Sequence, residues 1–299
     1  MSPRVAVLGA ALLFSTGGAA IKATTLDGWT VAGLRSGIAV VAFLVLLPRA
    51  RRAWNLRTAA VGLAYGATLI SFVLATKLTT SANAIFLQST GPLYIVILAP
   101  WLLGERIRRA DIWFLSTLAF GLSVFFVTAT PAQASAPQPL LGNLIAAGSG
   151  LGWALTVIGL RWLARESESG HAALSATTLG NLMVVAVCAM RGLEVGTMQP
   201  IDYVVVAYLG VFQLGLAYVL LTTAIRHVPA VEASLLLLVE PALNPLWAWL
   251  VHQERPGPWP LVGGAVILSA TAAKALLDAR ATRRLIPSGR SEATGSPGR

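Results

Sequence analysis

The sequence predicts an all-α polytopic membrane protein whose ten transmembrane helices form two inverted five-helix repeats. Three observations lead there. Of 299 residues, 56% are hydrophobic and only 11% charged, with mean hydropathy +0.73; a soluble domain carries about 25% charged residues, so lipid must solvate much of this surface. Ten apolar stretches approach the roughly 20 residues a bilayer crossing needs. The third observation is a duplication: AIFLQSTGPLYIVILAPWLLGER, Ala84 to Arg106, returns in the second half as ASLLLLVEPALNPLWAWLVHQER, Ala233 to Arg255. At one constant offset Lys77 meets Arg226, Pro92 meets Pro241, Glu105 meets Glu254 and Arg106 meets Arg255.

The expected spans are 3–21, 29–47, 58–76, 82–103 and 112–128, then 140–160, 173–190, 203–224, 230–251 and 259–278. The first follows Arg4 and ends in small residues, as a cleaved signal peptide would. However, FSTGGAAIK (Phe14 to Lys22) has a counterpart in WALTVIGLR (Trp153 to Arg161). A segment with such a partner belongs to the folded core and is expected to be retained. Residues 3–128 form the first repeat and 140–278 the second. The stretch 129–139 between them, uncharged and rich in proline, is the linker, and 279–299, rich in Arg, Ser, Gly and Pro, is a disordered cytoplasmic tail.

Basic residues set the orientation. With the N-terminus inside, only Lys22, Lys77, Arg191 and Arg255 fall outside, and every other base except Arg35 lies on the cytoplasmic side. That bias places both termini in the cytoplasm. It also accounts for the net charge of +10 without nucleic acid, since no basic segment is interleaved with base-stacking aromatics. An odd number of crossings per half starts the second half on the opposite side and inverts it. Inverted repeats are a design of secondary transporters, with the substrate site at the repeat interface near the midplane.

Candidate chemistry collects at helix breaks. Pro92, Pro241 and Pro245 each lack an amide hydrogen and free a carbonyl four residues back, Gln88 and Leu237 being the first two so affected. Such groups must be satisfied by protein or by a watered cavity. Gln88, Ser89 and Thr90 stand beside one break and Glu240 beside another. Glu240 lies about ten residues into its span, roughly 15 Å deep, where a carboxylate costs at least about 2.5 kcal/mol. A proton-coupling or substrate-ammonium role suits it. Arg35 is the base well inside a span. It could neutralise a substrate carboxylate, but it lies close enough to the outer end to snorkel, and a structural role is the preferred reading. Tyr65, Tyr218, Trp153 and Gln213 are polar-tipped residues deep in spans. Gly148, Gly150 and Gly152 allow close approach beside Trp153, and Gly62 and Gly66 have the spacing of tight helix packing. His171, His227 and His252 read as solvated loop residues, and Cys188 lies alone in an apolar run, so no metal site and no disulfide framework is expected. No Walker loop, zinc-protease motif or nucleophile elbow occurs, so the chain is not read as an enzyme and no cofactor is expected.

These residues resemble the EamA-type branch of the drug/metabolite transporter superfamily over residues 3–278. The resemblance rests on the two five-span repeats, on Trp29 and Arg35 leading into the second span, and on Pro92 followed by Leu103-Gly104-Glu105. The echo of Pro241 and Glu254, and Trp153 in the sixth span, complete it. It implies a secondary transporter with a cavity between the first, third, fourth, sixth, eighth and ninth spans, lined by Tyr65, Gln88, Ser89, Trp153, Gln213, Tyr218, Glu240 and Asn244. Departures are Ser36 after the arginine, Phe14 for a first-span tryptophan, and Gln253-Glu254 for a second Gly-Glu; the small Ser89 and Gly91 before Pro92 favour a roomy cavity. The expected function is export of amino acids or related small metabolites across a bacterial inner membrane by alternating access, with the bilayer and possible proton coupling as partners, as a monomer or weak dimer. The alternative cargoes are a nucleotide-sugar, a cationic drug or a lipid-linked sugar.

Overall fold

A computed structural model describes residues 2–47, 51, 54–102, 109–127, 132–166, 171–224, 227–228 and 236–285. Among these residues the regular structure is helical, beside one isolated bridge between Gln133 and Ala136. Span one divides into α1 (Pro3–Ser15) and α2 (Gly17–Ala23). Next come α3 (Gly28–Leu46) and α4 (Leu56–Leu78). Span four divides into α5 (Ser81–Gln88) and α6 (Gly91–Leu102), and α7 (Arg109–Val127) follows. The second half has α8 (Pro139–Glu166) and α9 (His171–Arg191). Span eight is built of α10 (Pro200–Tyr208), a π-helical stretch (Leu209–Leu216) and α11 (Ala217–Ala224). Span nine contributes α12 (Val239–His252), and α13 (Pro258–Leu285) is the last.

Eight of these helical stretches are long and apolar enough to cross a membrane, and Asp111–Phe126 is a shorter apolar helix. The expected start of span nine, before Leu236, lies outside the described residues. Helix ends run past the apolar cores because polar caps set them. Asp27 opens α3 by accepting from the Trp29 and Thr30 amides at 2.7 and 3.2 Å. Asn55 and Thr58 open α4 as a capping box, Asn55 Oδ1 accepting from the Thr58 amide at 3.0 Å and Thr58 Oγ1 from the Asn55 amide at 2.9 Å. At the far end α13 continues through Leu285, so the beginning of the expected disordered tail is helical; its remainder, 286–299, lies outside the described residues.

The first span is packed into the bundle. α1 lies on α11 and α12, burying Ala6, Val7, Ala10 and Ala11. The contacts recur one half further on. Span one packs on spans eight and nine as span six packs on spans three and four. Span two against eight mirrors span seven against three, while two pairs with seven and five with ten. Lipid tails are as apolar as Leu, so close backbone packing must hold such helices together. α4 and α9 show it: a Cβ added to Gly62 would meet the Ala176 carbonyl oxygen at 2.8 Å, and one on Gly180 would meet that of Gly62 at 2.5 Å. Large apolar side chains such as Val41, Val45, Leu63, Phe120 and Val251 face outward, as a lipid-facing surface requires.

Candidate functional site

Two breaks and one widened turn shape the interior. In span one, Thr16 ends α1 and two glycines start α2. A Cβ on Gly17 would meet Gln213 Nε2 at 2.8 Å, and one on Gly18 would fall on Ser81 Oγ and, at 2.5 Å, on Asn244 Oδ1. At Gly18 only glycine lets the chain pass between Ser81 and Asn244. In span four the break ahead of Pro92 is real, and the hydroxyls beside it bond back to carbonyls of α5. Ser89 Oγ donates to the Ile85 carbonyl at 2.7 Å and Thr90 Oγ1 to that of Leu87 at 2.6 Å. In span eight the π-helical stretch carries Gln213, and π-bulges recur at functional sites.

One cluster joins both halves. Arg35 on α3 is 1% exposed. Its Nη1 donates to Gln213 Oε1 at 3.4 Å and its Nη2 to the Leu69 carbonyl at 3.3 Å. The expectation that Arg35 snorkels is therefore overturned: α4, α9 and the π-helical stretch surround α3 and leave the guanidinium no way to the surface. Tyr65 on α4 is buried, and its hydroxyl accepts from Asn181 Nδ2 at 3.4 Å. Tyr218 on α11 meets Phe14, Tyr65 and Phe43 edge-on, with centroids at 5.2, 5.7 and 6.2 Å, the geometry that ring quadrupoles favour. Glu240 sits half-buried in the first turn of α12. Of the expected lining residues, Tyr65, Gln213 and Tyr218 thus come together.

A second group lies where α5 and α6 meet α8. The Gln88 carbonyl faces Gly150, 3.1 Å from where a Cβ would stand, and Gly91 faces the Trp153 ring at 2.9 Å. Gln88, Ser89 and Trp153 are half-buried here. Gly150 and Gly152 give the expected close approach, whereas Gly148 has nothing near it. Pro241 sits in the first turn of α12 and Pro245 inside it. Pro245 does not break its helix, correcting the expectation: the bond it forfeits would reach the Pro241 carbonyl at the helix start, and the remaining turns carry the helix on.

Asn244 belongs to a third group, where α2, α5 and α12 converge. Its Oδ1 accepts from Ser81 Oγ at 2.6 Å, and the Ser81 amide donates to Glu254 Oε1 at 2.6 Å. Glu254 pairs with Lys22 at 3.3 Å. Lys22 also donates to the carbonyls of Thr79, at 2.8 Å, and Ser135. Nearby, Lys77 Nζ donates to the Thr24 carbonyl at 2.8 Å, and Asp202 accepts from the Thr25 amide at 2.8 Å and hydroxyl at 2.6 Å. Burial pushes the Glu254 carboxyl above its usual range, against the pull of Lys22 and the Ser81 amide. Gln253 just before it has φ +55°, a left-handed conformation that glycine adopts most readily, and this is where the resemblance expects a Gly-Glu. His252 is no solvated loop residue either: it closes α12, with Nε2 2.8 Å from the Ala19 carbonyl. Among the described residues no group of His, Cys, Asp and Glu is arranged to hold a metal ion.

The pattern of the EamA-like transporter family matches residues 2–128 and again 140–273. The chain belongs to that family. It is a multi-pass membrane transporter. Named relatives of similar length resemble it. One resembling this chain is named the pseudopaline exporter CntI of Pseudomonas aeruginosa, 24% identical over 87% of this chain and 91% of its own. Another, from Archaeoglobus fulgidus, is named an uncharacterized transporter and is 26% identical over 68% of this chain and 70% of its own. A solved crystal structure shares the fold, with TM-score 0.61 and 20% identity over 93% of this chain and 98% of the other.

Proposed function

We propose that this transporter exports amino acids or related small metabolites across a bacterial inner membrane by alternating access of its two halves, 3–128 and 140–278. The observation that carries the reading is the cluster shared by both halves: Arg35 and Tyr65 from the first, Gln213 and Tyr218 from the second. A site built from both halves changes shape when they move, so the ligand's differential affinity for the two arrangements drives the exchange. The name of the pseudopaline exporter supports the direction.

Both termini are cytoplasmic in this reading, which puts Lys22, Lys77, Ser81, Asn244 and Glu254 at the outer side. Their contacts close that end, and the transport cycle must open them. Gln88, Ser89 and Trp153, beside the break at Pro92, line the path, and Pro92 and Pro241 let spans four and nine bend. Glu240 is the carrier of a counter-moving proton. Reconstituted protein in liposomes, offered a panel of labelled amino acids with and without a pH gradient, tests this. Flux that rises with the gradient is expected. Absence of flux for every amino acid and amphiphilic metabolite overturns the function, and a pH dependence unchanged in Glu240→Gln overturns the coupling.

A further inference from the structure

We propose that the segment joining the two halves is a strap across the outer end of the bundle, fastened by Lys22, and that the exit for cargo opens only when Lys22 releases it. This rests on the exporter reading above for the side of the membrane that this end faces. Connecting segments ordinarily run over a surface with their polar groups turned to water. This one is built otherwise. Gln133 and Ala136 exchange two backbone bonds, at 3.1 and 2.8 Å, which fold residues 133–136 into a closed turn. Gln133, Ala134 and Pro137 are exposed, yet Ala136 between them is fully buried, so the turn presses one side chain into the bundle. Two ties hold it there. The Gln138 amide donates at 3.0 Å to the carbonyl of Leu78, the last residue of α4, and the Ser135 carbonyl accepts from Lys22 Nζ.

Lys22 is the tie that movement undoes. An ammonium has three donors, and those of Lys22 meet acceptors from three parts of the molecule. These are the Thr79 carbonyl just after α4, the Ser135 carbonyl in the strap and the Glu254 carboxylate just after α12. The Lys22 side chain is 6% exposed and that of Glu254 1%, so neither charge is stable there alone. Glu254 also accepts from the Ser81 amide, and Ser81 holds Asn244, which ties α5 and α12 to the same point. Thr79 belongs to the first half and Glu254 to the second. When the halves part, Glu254 leaves Lys22, and the ammonium loses the charge that keeps it buried beneath Ser135. The turn retains its own two backbone bonds, so it lifts as one piece. A connector with only a covalent duty needs no buried charge at its tip.

The test uses full-length protein with Cys188, the one native cysteine, replaced by Ala. Ala136→Cys and, as the exposed reference, Gln133→Cys are labelled with a membrane-impermeant maleimide in right-side-out vesicles. With Lys22 in place, Ala136→Cys is expected to react about tenfold or more slowly than Gln133→Cys. Adding Lys22→Met together with Glu254→Gln, which leaves no buried charge unpaired, is expected to bring the two rates within about twofold. Equal rates with Lys22 present overturn the strap. Protection that survives the double variant, in protein that melts normally, overturns Lys22 as its fastening. A second arm keeps Lys22 and Glu254. Ser135→Cys is bridged by a flexible bismaleimide to Arg255→Cys, an exposed neighbour of Glu254. The bridge is expected to stop efflux of labelled leucine, phenylalanine and threonine, which one-armed N-ethylmaleimide leaves running. Efflux through the bridged protein overturns release as a step of opening. Labelling of Gln133→Cys only in inside-out vesicles overturns the outer placement. No flux of any amino acid in the unaltered protein removes the exporter reading, and the labelling rates still decide whether Lys22 fastens the strap.

Discussion

Two polar regions lie side by side in this bundle, and they are built to opposite rules. Around Lys22 and Glu254 the charged groups are tied by short bonds: 2.6 Å from the Ser81 amide, 2.8 Å to the Thr79 carbonyl, 2.6 Å from the Thr25 hydroxyl to Asp202. Around Arg35 the contacts are long, the acceptors neutral and one nitrogen bare. Adjacent glycines, Gly17 and Gly18, face one region each. The difference teaches that burial alone does not mark a binding site in a membrane protein. What differs here is whether a buried charge meets an opposite one, as Lys22 meets Glu254.

The largest expected effect breaks the tied region. Lys22→Met leaves Glu254 buried without its cation, which costs about 3–5 kcal/mol and is read as a lower melting temperature in detergent. Because burial already pushes the Glu254 carboxyl upward against Lys22, desolvation outweighs the attraction. Lys22→Met with Glu254→Gln should then recover most of the loss. A double variant as unstable as the single one means the ion pair is not what holds this end. A smaller effect separates the adjacent glycines. Gly18→Ala drives a Cβ into Ser81 and Asn244, which are bonded to each other, and costs about 1–3 kcal/mol. Gly17→Ala meets only the end of the Gln213 side chain, which can swing away, and Ala is a better helix former than Gly by about 1 kcal/mol. It should melt near the unaltered protein yet transport more slowly, because Gln213 no longer holds Arg35. Equal losses of stability would erase the distinction between the regions.

Much of this was legible in the sequence because membrane folds advertise themselves in period and composition. The helical class and the break before Pro92 follow from apolar length and from a missing amide. What stayed hidden were matters of depth and partnership. Arg35 read as able to snorkel because distance along one helix is visible, whereas enclosure by α4, α9 and the π-helical stretch is not. Asn244 was grouped with the cavity on the strength of its span, and its bond to Ser81 belongs to the other region. The Lys22–Glu254 pair joins residues far apart in sequence, and no local pattern announces it. The signal for the narrow passage was present in Thr16-Gly17-Gly18, but glycine pairs in apolar spans are common, and only a neighbour's position shows which ones are needed.

Tyr218→Phe makes the finest cut between the regions. The ring stays and so do its edge-on contacts with Phe14, Tyr65 and Phe43; only the hydroxyl goes. If the cluster were a structural network like the one at Lys22, losing that hydroxyl would strand its partners and lower the melting temperature as Lys22→Met does. If the cluster awaits cargo, stability should change by no more than about 1 kcal/mol. The substrate concentration for half-maximal flux should then rise several-fold, because the bound cargo loses a hydroxyl that orients it. Melting and flux measured on the same preparation decide between these. A protein that melts early with unchanged half-saturation assigns the cluster to the scaffold, and one that melts normally with weakened half-saturation assigns it to the cargo.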